Sequence, residues 1–122
     1  MNIEEFRNYC LSLKGVTEKM PFTKANNDYD RNLLVFSIGD KWFSFVNMEV
    51  FDFCNLKSDP DTSAKLQTIY NAVRPGYHMN HHHWISVYFN QDVPDERILS
   101  LVSDAYHRVL ASLPKREQVK YL

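Results

Sequence analysis

LLVFSIGDKWFSFV, residues 33–46, places two runs rich in β-branched and aromatic residues on either side of Gly39-Asp40. Such residues suit a pleated, half-buried surface, and glycine tolerates the positive φ that a two-residue hairpin loop needs at its first central position. The stretch predicts a β-hairpin closed by a type II′ turn, and with it a largely antiparallel sheet. FDFCNLK at 51–57 continues the pattern as a third strand.

Toward the N-terminus, residues 16–33 are polar and turn-rich, with Pro21 and Asn26-Asn27-Asp28, and read as a loop crossing. Before them, Asn2 and Glu5 form a capping-box pattern, and Ile3, Phe6, Cys10 and Leu13 recur at helical spacing up to Lys14-Gly15. A helix over about residues 3–14 follows.

Toward the C-terminus, Asp59-Pro60 opens a second helix, with aspartate as cap and proline where its missing N–H is harmless. Leu66, Ile69, Tyr70 and Val73 make its apolar stripe, and Pro75-Gly76 its stop. A short strand is placed at 77–80 and a longer one at 83–89, with Ile85, Val87 and Phe89 on one face and Trp84, Ser86 and Tyr88 on the other. A third helix begins near Pro94 or Asp95, carries the stripe Ile98, Val102, Ala105, Tyr106, Val109 and Leu113, and ends at Pro114. The order α-β(3)-α-β(2)-α is that of a two-layer α+β sandwich, a five-stranded, largely antiparallel sheet covered by helices. Residues 1–114 read as one domain and 115–122 as a polar tail with an apolar tip.

Composition bounds the function. At 122 residues, 44% hydrophobic and 24% charged, the chain can bury a core without disulfide or metal staples. Cys10 and Cys54 lie in different elements without CxxC spacing and read as free thiols of a reducing cytosol. No stretch approaches the ~18 apolar residues of a membrane span, and the N-terminus lacks the basic and apolar regions of a secretory leader, so a cytoplasmic location is expected. Fourteen Lys and Arg stand against fifteen Asp and Glu, so any nucleic-acid contact must rest on a local patch rather than on net charge.

RPGYHMNHHHW at 74–84 is the most unusual segment. Adjacent residues of a strand point to opposite faces, so His81, His82 and His83 do not converge on one metal ion; no metal and no cofactor are expected. No GxSxG, HExxH, phosphate-loop or dinucleotide fingerprint occurs, and the chain reads as non-catalytic. Lys41 with Trp42, Lys57, Arg74, His81, His82 and Trp84 interleave cations with aromatics and are the candidates for a DNA contact. The same aromatics sit in strands, where large rings most often fill a core.

NLKSDP at 55–60, RPGYHMNHHHW and AYHRVLASLPKR at 105–116, with VTEKMPF at 16–22 and GDKWFSF at 39–45, together resemble the MmcQ/YjbR family of small bacterial proteins. Pro75, Gly76, Tyr77, His78, Met79 and Asn80, followed by His83-Trp84, match its signature. The resemblance implies a secretion-chaperone-like fold and DNA binding through wing-like hairpins and loops, with no catalytic residues to carry over. Its members commonly have Lys or Arg between the Asn and the His-Trp pair, where this chain has His81 and His82; Ala105-Tyr106 stands in place of a usual Ser-Tyr pair. Folds of this type also hold partner segments on a sheet face or dimer surface, so the alternative expectation is a protein-interaction module. The residues leave the oligomeric state open.

Overall fold

The computed structural model describes residues 1–76 and 79–122. The hairpin that organises it pairs β2 (Leu33–Ile38) with β3 (Lys41–Asn47), the closing pair being Ile38 and Lys41. Both loop residues take positive φ, 55° at Gly39 and 63° at Asp40, so the turn follows the type I′ pattern rather than type II′. Aspartate is one of the few residues with a side chain that accepts this conformation.

Within the hairpin Phe36 opposes Ser44 but Ser37 opposes Trp42, which leaves Phe43 as an extra residue on β3, a β-bulge. The bulge changes which side chains share a face. Strict alternation would set Trp42 and Phe45 on opposite sides; instead both join one cluster with Leu33, Val35 and Trp84, while Phe43 and Val46 enter the main core on the other side.

The sheet has six strands in the order β1-β2-β3-β4-β6-β5, every neighbouring pair antiparallel. Here β1 is Thr17–Lys19, β4 Phe53–Lys57, β5 Val73–Pro75 and β6 Trp84–Tyr88. The sixth strand corrects the expectation for residues 16–33: Thr17–Lys19 pairs with β2 at the edge, and Asp28–Arg31 forms a one-turn helix, α2, capped by Asn27. Three residues are too few for a periodic signal, and edge pairing is decided by the partner strand.

On one face lie α1 (Ile3–Ser12), α3 (Pro60–Ile69) and α4 (Asp95–Ser112). The capping box is formed as read, Glu5 N donating to Asn2 Oδ1 at 2.8 Å and Asn2 N to Glu5 Oε1 at 3.2 Å. Helix α1 anchors Phe6, fully buried, against Phe36, Phe51 and Phe89, with ring centroids 5.9–6.0 Å away. Helix α4 buries Ile98, Val102, Ala105, Tyr106 and Val109 in the core, as its periodicity predicts, and its C-cap Leu113 is buried with them. Cys10 and Cys54 are free and buried in this core, and burial pushes both thiols far up, away from thiolate chemistry at neutral pH.

Helix α3 ends four residues before Val73. Tyr70 is already extended, Ile69 is 66% exposed, and Val73 belongs to β5. The Asp92 carboxylate accepts the next two amides, Asn71 N at 2.6 Å and Ala72 N at 2.8 Å, so a contact distant in sequence overrides the helical stripe. The strand expected at 77–80 falls partly outside the described residues; Met79 and Asn80 are not in a strand. The tail folds back, with α5 (Lys115–Gln118) and a 3-10 turn bringing Tyr121 against the core. Lys14 Nζ donates to the Leu122 carbonyl.

Asp92 and Asp59, the cap of α3, are both held below the usual carboxylate value of 3.8, chiefly by the amides they accept. A depressed folded-state value contributes stability that is present above the unfolded pKa and lost as pH falls through the folded one. The stability gap between wild type and Asp92→Ala, from urea midpoints, is therefore expected to be full at neutral pH and to shrink below about pH 4. A gap that stays constant with pH would refute this role.

Candidate functional site

The segment from Gly76 to Trp84 begins with a close approach. Gly76 N donates to the Trp84 carbonyl at 3.1 Å, and a Cβ at Gly76 would meet Trp84 Cβ at 2.7 Å and its carbonyl oxygen at 2.9 Å. Only glycine fits against that backbone without a shift. Gly76→Ala is expected to cost about 1–3 kcal/mol, as overpacking does. An unchanged urea midpoint would show that the two segments separate freely.

Asn80 then builds the turn into β6, its Oδ1 accepting from His82 N at 2.8 Å and its carbonyl from His83 N at 3.1 Å. Ser58 N donates to the His83 carbonyl at 2.8 Å and fixes the entry of β6 beside β4. His81 and His82 are exposed on this turn. Among the described residues, no three of His, Cys, Asp and Glu are grouped to hold a metal ion. Tyr77 and His78 lie outside the described residues.

Two clefts open beside this turn and share Trp42 and Met79. The first, about 590 Å³, is lined by Lys41, Lys57 and His83 with Trp84, and is backed by Val109 and Ser112 of α4. Lys41 arrives at the end of the hairpin turn, and Lys57 pairs across the sheet with Trp84, placing its Nζ 5.1 Å from the indole centroid. Partial burial, with Lys41 adding repulsion, pulls the Lys57 ammonium below its ordinary value of 10.5. Among the described lining residues there is no carboxylate, so the cleft concentrates positive charge in a chain of net charge -1.

The second cleft, about 430 Å³, is apolar in its depth, with Phe22, Tyr29, Leu33 and Phe45 around Trp42 and Met79. Trp42 meets Phe22 and Phe45 edge-on, each at 6.1 Å. Asn27 and Asp30 supply its polar lining, joined through Asn27 Nδ2 to Asp30 Oδ2 at 3.0 Å.

Of the sequence candidates, Lys41, Lys57 and Trp84 come together. Arg74 does not line either cleft; it lies on edge strand β5 with its guanidinium 4.1 Å from the Tyr88 centroid. His81 and His82 are outside both linings. Trp84 is only 4% exposed and packs on Phe45 at 5.4 Å, so its ring fills a core instead of offering a face to a base. Sequence reasoning named Trp42, Met79 and His83 without seeing that the half-buried Trp42 and Met79 and the exposed His83 wall one cleft, and it missed Asp30. The bulge that turns Trp42 toward Phe45 has no mark of its own in the residue pattern.

No described helix is long and apolar enough to cross a membrane. The fold is close to that of solved proteins. A crystal structure of Deinococcus radiodurans protein DR2400 superposes with a TM-score of 0.85 over 98% of this chain and 87% of that one, at 24% identity, a likeness of fold alone. A Pseudomonas syringae protein superposes with a TM-score of 0.70 over 88% of this chain and 98% of that one, at 25% identity. In sequence, the chain is 37% identical to the uncharacterized protein YbdF of Escherichia coli O157:H7 over 106 residues, 86% of this chain and 87% of that protein. It is 28% identical to the uncharacterized protein YjbR of Escherichia coli K12 over 119 residues, 97% of this chain and 95% of that one. Residues 11–108 match the sequence model of the YjbR family, and with the antiparallel α+β fold described above, the chain belongs to that family.

Proposed function

We propose that this protein is a non-catalytic, cytoplasmic DNA-binding protein whose phosphate contact is the cleft of Lys41, Lys57 and His83. The observation that carries the reading is the grouping of three basic side chains around one cleft without a carboxylate among its described lining residues. Two ammonium groups close enough for one to depress the other gain from a phosphate placed between them, because the anion removes their repulsion as well as attracting each. The proposal needs no metal and no cofactor.

Fluorescence anisotropy of labelled DNA at stepped salt concentrations tests it. Affinity is expected to fall with a log–log slope of about −0.9 for each duplex phosphate neutralised, and the Lys41→Glu, Lys57→Glu double variant to lose salt-dependent binding. Binding that ignores both salt and charge reversal would exclude the cleft as a phosphate contact.

A second reading, a protein-interaction surface, is supported by a groove at the other end of the sheet. There Met20 and Met48, 37% and 42% exposed, line one cleft with Leu34. Methionine adapts to varied apolar partners. A monomeric, non-associating protein whose behaviour is unchanged by Met20→Glu and Met48→Glu would argue against it.

A further inference from the structure

We propose that the two clefts flanking Trp42 act as one site for a single unpaired nucleotide of a nucleic-acid strand, its phosphate at Lys41 and Lys57 and its base in the aromatic cleft. The inference rests on the DNA-binding reading above and narrows it from DNA in general to single strands.

The pair of clefts is polar in a defined sense. The first cleft is lined by the ammonium groups of Lys41 and Lys57, the second by Asp30 and Asn27, and Trp42 and Met79 are common to both. A phosphate is attracted to the first cleft and repelled from the second. A base has the opposite needs: a π-face for Trp42 and Phe22, and N–H groups for a carboxylate to accept. In a duplex the bases are stacked inward and paired, so a duplex can use the cationic cleft but not the aromatic one. A strand with an unstacked base can use both.

Asp30 adds a base preference. Cytosine presents an exocyclic amino donor that a carboxylate accepts well. Thymine presents one ring N–H between two carbonyl acceptors, which repel the carboxylate. Cytosine should therefore be preferred to thymine, although the two pyrimidines are close in size.

The test uses the full chain and anisotropy with labelled oligo(dC), oligo(dT) and a duplex, all of equal length at one low salt concentration, with dCMP as competitor. Expected are tighter binding of oligo(dC) than of the duplex, and a several-fold preference of oligo(dC) over oligo(dT). Asp30→Asn should abolish the preference, with oligo(dT) binding tightened because the charge that repels its carbonyls is gone. Trp42→Ala should weaken single-strand binding by roughly five- to a hundredfold, the worth of one base stacked on an aromatic ring. Asp30 lies on a short capped turn and is a member of neither buried cluster, so its variant keeps the test valid if Trp42→Ala fails to fold. Salt-dependent binding with the duplex equal to or better than both oligomers overturns the unpaired-nucleotide site and leaves the DNA reading standing. dCMP that competes as well as oligo(dC), nucleotide for nucleotide, overturns the strand in favour of a free nucleotide. No binding of any of these probes overturns both.

Discussion

Trp84→Ala is expected to lower the unfolding free energy by about 3–5 kcal/mol, the usual cost of deleting a large buried ring. Trp84 is 4% exposed, lies 5.4 Å from Phe45, and carries the Lys57 ammonium over its face. Its backbone also pairs with Gly76 and with β4. The loss should appear as a lower midpoint in urea denaturation with little change in the m-value, because the folded and unfolded states keep their compactness. The same experiment separates packing from recognition. If Trp84 served to stack on a base, its removal would cost DNA affinity while leaving stability nearly intact, the reverse of what its burial implies. Lys57→Met, which keeps the aliphatic cover on the ring and removes the charge, should leave most of the stability in place and reduce phosphate binding.

The second large effect is expected at the opposite face. Phe6→Ala should cost about 3–5 kcal/mol for the ring itself, with loss of its aromatic neighbours adding to it. Phe6 is fully buried and is where α1 meets Phe36 of β2, Phe51 and Phe89 at one centre. Helix α1 is only ten residues long, and isolated helices of that length are marginal in water. Without Phe6 the helix loses its anchor as well as its contact area, so backbone amides of α1 should exchange much faster than those of β2 and β3. Thermal or urea unfolding measures the global loss, and hydrogen exchange the local one. A variant whose midpoint is unchanged and whose α1 amides stay protected would show that Leu13, Cys10 and the capping box hold the helix without it.

Much of the fold was legible from local patterns. The capping box at Asn2 and Glu5, the Asp59-Pro60 helix start, the apolar stripe of α4 and the alternation of β6 each express a rule that operates within one element, and each is found in place. The errors share a different origin. Helix α3 stops early because Asp92 takes the amides of Asn71 and Ala72; Thr17–Lys19 becomes a strand because β2 offers it an edge. Neither cause lies within a few residues of its effect.

The candidate site divides along the same line. Lys41 and Lys57 could be singled out as cations beside aromatics, and Gly76 as a helix stop, since charge and backbone preference belong to the residue itself; Asn80, expected in a strand, instead builds a turn. That Lys41, Lys57 and His83 face one cleft while Arg74, His81 and His82 do not follows from strand order and register, which juxtapose β3, β4 and β6. The placement of Trp42 beside Phe45 depends on one extra residue at Phe43, and that bulge is set by the pairing of β2 with β3. Residue chemistry and short-range periodicity are properties of the chain, and so the elements and their caps could be read from it. Which side chains become neighbours is settled by hydrogen-bonded pairing between distant segments, which comes into being only when the sheet closes.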